Sequence, residues 1–484
     1  MVWIVTTVVV ILSLLFSRRC RRNEGKGKPP CNVSRAHLTC DPGNHSVGFN
    51  SVVAIIRFAG CPSFDDFKRH FIENIVLEND CFRSRMSFEG ERMVWENADT
   101  DWNPSDNFAL VEECLNDDIP ERAATFLTEG VPLNKPCWSV LFIARVRRNE
   151  EEEGTSAVLL KYHHSMADGF TMVQKMASKI RPLDASKPIS ELFPVPKPAT
   201  SLGTRNMIQT IGSIFQSLRS ILLRKPDQPG LFRATEYREA NERVNVSISW
   251  SITVDRIKRI CQAGAHRHPE ENRRITVNDV ITTIVSHAFR LYHLSQKNPG
   301  QPVDLTSVVW VSLNKDPLDA TSEWNNDSLG FAYTSLPLSI SDPEACLWEC
   351  HKRLSLLKNS AEPLLINTAL RLLGTLPIRV GKYIASLSAD YASVSMSNLP
   401  GPNSMVYWPV SGKDDDSFPT GLVDSVFFVT SPPFRFGPLV SVISYNGVFH
   451  FSISARASLL SQEALDWILT EGLETAVHDL EAAC

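Results

Sequence analysis

The segment His163-His164-Ser165-Met166-Ala167-Asp168-Gly169 follows an apolar run at residues 157–160. Such a run predicts a buried strand that ends at the histidine pair. Because side chains alternate along a strand, His163 and His164 point to opposite faces, and only one of them can enter a given cleft. Imidazole accepts and returns a proton near neutral pH. We therefore predict that His164 is a base and that His163 holds the local structure.

Two other interpretations of the histidine pair stay open. A histidine at the end of a strand can be a purely structural residue. The pair could also bind a metal, but adjacent histidines on opposite faces are poor co-ligands, and no nearby cysteine or glutamate completes a zinc site. We expect acid–base chemistry without a metal ion.

Composition limits the classes of protein that the chain can belong to. Its 484 residues exceed the size at which one core usually stops growing, so two domains are expected. A net charge of −5 argues against nucleic acid as a partner. The eleven cysteines include no CxxC pair, which favours reduced thiols in a body that faces the cytosol.

The N-terminus predicts a membrane anchor. Residues 1–17 contain no charged side chain, and six Arg and Lys residues follow within residues 18–28. Seventeen helical residues span roughly 25 Å, the short limit for the hydrocarbon layer of a bilayer. Positive charge after the apolar segment places the remaining chain in the cytosol. A cleaved signal peptide is the alternative, although positive charge normally precedes the apolar part of a signal peptide.

Several segments together resemble the wax ester synthase/diacylglycerol acyltransferase family. The first is residues 163–169, which are similar to the HHxxxDG signature of that family. Four further matches are residues 132–138 (PLNKPCW), 278–279 (ND), 325–330 (NNDSLG) and 395–402 (SMSNLPGP). Together with residues 163–169 they occur along the chain in the order of the family. The resemblance covers roughly residues 48–475, and the DFGWG block of plant alcohol acyltransferases is not seen.

The resemblance implies an α/β fold with two lobes, of the chloramphenicol-acetyltransferase-like CoA-dependent type, here with an added N-terminal transmembrane helix. The active-site channel is expected between the lobes. The predicted division of the chain is an anchor at 1–17, a basic linker at 18–47, an N-terminal lobe at 48–200, an amphipathic linker at 201–240 and a C-terminal lobe at 241–484.

The resemblance also implies roles for named residues. His164 is expected to remove the proton of an alcohol, while Asp168 pairs with an arginine to hold the loop and Gly169 permits the turn. Asn278 and Asp279 are expected to support the cleft. Ser397 or Asn398 is expected to donate a hydrogen bond to the developing oxyanion.

The function implied is transfer of a fatty acyl group from acyl-CoA to diacylglycerol or a long-chain alcohol, with acyl-CoA as co-substrate and no resident cofactor. Another alcohol acceptor, or a catalytically silent lipid-binding protein, remains an alternative. We expect a single-pass protein with a cytosolic catalytic body at the endoplasmic reticulum or, alternatively, the plasma membrane.

The linker contains an apolar stripe at residues 207–224 with arginines at its end, which predicts an amphipathic helix. Such a helix either lies in a membrane interface or packs between the lobes, and both alternatives stay open. Residues 364–387 have a similar pattern.

Overall fold

The computed structural model describes most of the chain after residue 46. The described residues are 47–48, 50–89, 92–98, 101–148, 154–186, 188, 191–193, 207–228, 230–233, 236, 242–267, 274–313, 329–389, 391–409, 421–432 and 436–484. The predicted anchor, nearly all of the basic linker and residues 325–328 of the NNDSLG segment therefore lie outside the described residues.

The strands follow the apolar runs of the sequence. In chain order they are β1 (Val47–Gly48), β2 (Ser51–Phe58), β3 (Ser84–Glu89), β4 (Arg92–Asn97), β5 (Phe108–Leu115), β6 (Val131–Pro132), β7 (Trp138–Arg147), β8 (Thr155–His163), β9 (Arg181–Pro182), β10 (Val244–Thr253), β11 (Leu305–Ser312), β12 (Leu329–Leu336), β13 (Val394–Leu399), β14 (Val406–Tyr407), β15 (Val423–Thr430), β16 (Leu439–Tyr445) and β17 (Val448–Arg456).

The helices cover the faces of the sheets. In chain order they are α1 (Phe64–Phe71), α2 (Asp80–Arg83), α3 (Ile119–Glu129), α4 (Gly169–Ala177), α5 (Met207–Leu223), α6 (Val254–Arg267), α7 (Val277–Ser295), α8 (Pro343–Lys358), α9 (Glu362–Leu373), α10 (Ile378–Ala389), α11 (Gln462–Trp467) and α12 (Leu473–Ala483). Short π-helical turns extend α1 and connect α11 to α12.

The first sheet has the strand order β15-β2-β8-β7-β5. Strand β8 lies between β2 and β7 and is antiparallel to both, with Ser51 opposite His163. Helix α1 follows Ser63, and Phe67, Phe71 and Ile75 on its extended face are all buried against this sheet. A central, fully hydrogen-bonded strand therefore delivers the histidine pair.

The second sheet has the order β10-β17-β16-β13-β11-β12. Strand β13 lies between β11 and β16 and runs parallel to both. It carries Ser395 to Leu399, the strand part of the SMSNLPGP segment. An Asn-Gly hairpin joins β16 to β17, and Asn446 and Gly447 there have φ of 46° and 73°, as such a turn requires.

One strand of the second half belongs to the first sheet. Strand β15 pairs antiparallel with β2 at the edge of the first sheet, although it comes from residues 423–430. The hydroxyl of Ser454 in β17 donates to the carbonyl of Thr430 (2.6 Å), and Ser452 donates to the carbonyl of Phe428. Strand β15 therefore fastens the two sheets together.

Within the described residues, no helix has both the length and the apolar character needed to cross a bilayer. The predicted anchor at residues 1–17 lies outside the described residues. It stays a prediction.

Candidate active site

The two histidines of the pair have different surroundings. His163 is the last residue of β8 and is fully buried, and its Nδ1 accepts a hydrogen bond from the backbone N–H of Ser165 (3.1 Å). The Ser165 hydroxyl lies 2.7 Å from the same nitrogen. These contacts fix the turn that follows β8.

His164 is the first residue after β8 and is half-buried. Its backbone N–H donates to the carbonyl of Asn50 (2.8 Å), and its ring lies 6.3 Å from the ring of Trp310, tilted by 31°. The pKa of His164 is lowered to about 4, mainly by burial; a backbone hydrogen bond opposes the lowering and the neighbouring His163 adds to it. The ring is therefore a neutral imidazole at ordinary pH, which is the form that can accept a proton.

Asp168 caps the helix that follows the turn. Its Oδ1 accepts a hydrogen bond from the backbone N–H of Thr171 (2.7 Å) at the start of α4. Burial raises the pKa of the Asp168 carboxyl, and the hydrogen bonds of Thr171 and Phe170 oppose that rise. The predicted arginine partner of Asp168 is not found among the residues that the structure describes.

Gly169 lies against the second sheet. A Cβ atom at this position would be 2.7 Å from Cδ1 of Leu399, the last residue of β13. The missing side chain of Gly169 therefore lets the turn after β8 approach the SMSNLPGP segment closely. The HHxxxDG and SMSNLPGP segments, 230 residues apart in sequence, meet at this contact.

The ND and SMSNLPGP segments also meet. Asn398 Nδ2 donates to Asn278 Oδ1 (2.8 Å), and both side chains are exposed. Ser397 is half-buried on β13, where it lies opposite Ser441 of β16. The residues that were predicted to form the cleft are thus gathered at the end of β13.

Asp279 is a buried support beneath Asn278. Its Oδ2 accepts from the backbone N–H of Thr276 (2.7 Å) and lies 2.9 Å from Nδ1 of His351. Lys358 Nζ is 3.9 Å from Oδ1 of the same carboxylate. The carboxylate fixes the first turn of α7, and the sequence gave no indication of its contact with His351.

Trp310 was not predicted as part of the site. It lies on β11 and its indole N–H donates to the Ser395 hydroxyl of β13 (2.9 Å), which holds its ring beside His164. A single tryptophan in an otherwise β-branched strand was the only sequence signal for it.

Part of the chain matches a known protein family. Residues 324–480 match the family model described as the WS/DGAT C-terminal domain. This part of the chain is therefore similar to the C-terminal domain of the wax ester synthase/diacylglycerol acyltransferase family. The resemblance predicted from the sequence is confirmed by this match and by the relatives and the fold below.

Mycobacterial relatives extend the match beyond that domain. A protein of Mycobacterium bovis with the provisional name diacylglycerol O-acyltransferase is 24% identical over 300 residues. The alignment spans 57% of this chain and 57% of that relative. A Mycobacterium tuberculosis protein with the same provisional name is 22% identical over 376 residues, which span 72% of this chain and 69% of the relative.

Solved structures confirm the fold. The wax ester synthase/diacylglycerol acyltransferase of Marinobacter aquaeolei superposes with a TM-score of 0.60 at 19% identity, over 94% of this chain and 99% of its own. The trichothecene 15-O-acetyltransferase of Fusarium sporotrichioides superposes with a TM-score of 0.57 at 12% identity, over 92% and 94%. The predicted α/β fold of two acyltransferase-like lobes is therefore confirmed. The transmembrane helix that was predicted with it is not.

Proposed function

We propose that the protein transfers a fatty acyl group from acyl-CoA to the hydroxyl of diacylglycerol or of a long-chain alcohol, forming triacylglycerol or a wax ester. The observation that carries the proposal is the placement of His164, a neutral imidazole held at the end of a central strand beside the second lobe. The family match of residues 324–480 supports the same chemistry.

The reaction needs one base, because a thioester is already activated. Nε2 of His164 accepts the hydroxyl proton as the alcohol oxygen attacks the thioester carbonyl. The C–S bond then breaks, and the same imidazolium returns the proton to the departing CoA thiolate. General-base assistance of this kind typically contributes about 10² to 10⁴ in rate.

The residues gathered at the end of β13 support the developing charge in this proposal. Asn398 has two N–H groups, of which one is used toward Asn278, so the amide has a second donor for an oxyanion. The Ser397 hydroxyl is the alternative donor. One such hydrogen bond is worth about 2.7–4 kcal/mol in the transition state.

We infer further that the protein works at a membrane. Residues 1–17 would anchor it in a single pass, with the lobes in the cytosol at the endoplasmic reticulum or, alternatively, the plasma membrane. Helix α5 supports this, because Phe215 is 73% exposed and Leu223 is 66% exposed. The helix also packs on the protein, since the hydroxyl of Ser217 accepts from the backbone N–H of Ala361 (3.1 Å).

The deciding experiment is an ester-forming assay with palmitoyl-CoA and either hexadecanol or diacylglycerol. The wild-type chain should form ester with at least one acceptor, and H164A should lose that activity while it keeps the melting temperature of the wild type. The control is H478A, because the His478 side chain is 79% exposed. Ester formation by H164A at the wild-type rate would refute the proposal.

A further inference from the structure

Three aromatic side chains form a continuous strip on the second sheet. Trp310 of β11 lies directly opposite Phe331 of β12, and their ring centroids are 5.2 Å apart. The ring of Tyr333, two residues further along β12 and hence on the same face, is 5.6 Å from Phe331. All three side chains are half-buried, so each keeps part of its surface exposed.

One end of the strip lies beside His164, and the other, closed end is covered by Arg224. At the first end, the ring of Trp310 lies 6.3 Å from the ring of His164. At the other end, the guanidinium of Arg224 lies over the ring of Tyr333, 4.4 Å from its centroid. Arg224 is held there by Glu362 (3.4 Å), and Glu362 also accepts the backbone N–H of Tyr333 (3.0 Å). The exposed aromatic surface therefore has a defined length.

The closed end adjoins the basic, apolar surface of α5. Arg224 directly follows Leu223, the exposed last residue of that helix. Residues 207–225 contain three Arg and Lys residues and no Asp or Glu, in a chain whose net charge is −5. A surface of this kind is suited to anionic lipid, where a water-insoluble alcohol would be dissolved.

We propose that the strip Trp310–Phe331–Tyr333 binds the hydrocarbon chain of the acyl acceptor, with the acceptor hydroxyl at His164 and the chain directed toward Arg224. This inference rests on the proposed function. The acceptor is favoured over the acyl chain of the donor because the strip begins at the base that must reach the hydroxyl. It also ends beside α5, the helix proposed above to contact the membrane, where a water-insoluble acceptor would be dissolved.

The test compares alcohols of different length with F331A and with the milder F331L. Loss of the Phe331 ring should raise KM for hexadecanol about tenfold, from the lost apolar contact, and should change KM for butanol by less than about twofold. KM for palmitoyl-CoA should stay unchanged. The control L356A removes an apolar side chain of α8 that is 61% exposed and lies outside the strip, and it should match the wild type with all alcohols.

Each alternative outcome has its own meaning. An equal rise of KM for butanol and hexadecanol in both Phe331 variants would overturn the assignment of a chain-binding strip. A rise of KM for palmitoyl-CoA alone would assign the strip to the donor chain and overturn it as well. If the wild-type chain formed no ester with any alcohol or with diacylglycerol, the proposed function would fail first. The assignment of the strip would then be rejected together with the proposed function, without measurements on the Phe331 variants.

Discussion

At the scale of single residues, the histidine pair shows how position changes chemistry. His163 is fully buried and its Nδ1 is used by the Ser165 turn, whereas the half-buried ring of His164 faces Trp310. The two side chains are chemically identical and adjacent in sequence. Of the two histidines, His164 is the one whose ring lies beside the second lobe.

The pKa of His164 predicts the pH dependence of the reaction. Burial disfavours the charged imidazolium and lowers the pKa from the ordinary 6.5 to about 4. A base must be neutral, so kcat/KM should stay constant as the pH falls from about 7 to about 5 and decrease only near the lowered pKa. A steady-state profile with palmitoyl-CoA and hexadecanol, with intrinsic fluorescence to verify folding at each pH, measures this.

Trp310 provides the matched variant for the pH profile. W310A would admit water beside the imidazole, so the pKa of His164 should rise toward its ordinary value and the decrease in kcat/KM should begin at a higher pH. A wild-type profile that already falls to half its maximum between about pH 6 and pH 7 would contradict the prediction.

Residue-level prediction from sequence succeeded where a contact is local. The alternation rule predicted that His163 and His164 differ in their surroundings, as their burial shows. The sequence did not predict contacts between residues that are distant along the chain. Asp168 was expected to pair with an arginine, but its described partner is the backbone of Thr171 three residues away. Trp310 reaches His164 only because two distant strands come together.

At the scale of secondary structure elements, periodicity predicted position well and neighbours poorly. The apolar run at residues 51–58 forms β2, and α4 begins at Gly169, directly after the histidine segment. The apolar pattern of residues 364–387 resolves into two helices, α9 and α10. No local sequence pattern predicts that β13 lies between β11 and β16, because the neighbours of a strand depend on pairing between segments that are far apart in the chain.

Helix α5 carries a prediction about membrane binding. A double variant, F215S with L223S, removes two exposed apolar side chains while the packing contacts of Ser213 and Ser217 remain. Each large apolar side chain buried in a bilayer interface is worth up to about 2 kcal/mol, so affinity for anionic vesicles should fall at least about tenfold. Cosedimentation with phosphatidylserine-containing vesicles, using a chain that begins at residue 47, measures the change without the predicted anchor.

The control for this prediction is L77S, because Leu77 is 53% exposed and lies in the first lobe. It should bind vesicles as the unmodified chain does. Binding by the unmodified chain should also weaken in high salt, since basic residues contribute to it. If F215S with L223S sedimented as much as L77S, α5 would not be a membrane-binding helix.

At the scale of the whole molecule, the division into lobes does not follow the order of the chain. The predicted boundary at residue 241 stays a prediction, but β15 of the second half completes the first sheet beside β2. Its alternating pattern of buried residues would suit the edge of either sheet, so sequence could not assign it. The same crossing holds β17 beside the first sheet through the hydroxyls of Ser452 and Ser454.

The crossing predicts that the two halves cannot fold separately. A fragment of residues 48–240 would expose the backbone edge of β2 along Val52 to Phe58, and an open apolar edge strand of this kind promotes aggregation. We expect this fragment to be insoluble alone and to become soluble when it is coexpressed with residues 241–484, which supply β15. Size-exclusion chromatography and circular dichroism of the separate and coexpressed halves test this. The intact chain should melt in a single transition, because β15 couples the sheets. A soluble, monomeric 48–240 fragment with its own cooperative transition would show that the first lobe does not need the strand that crosses to it.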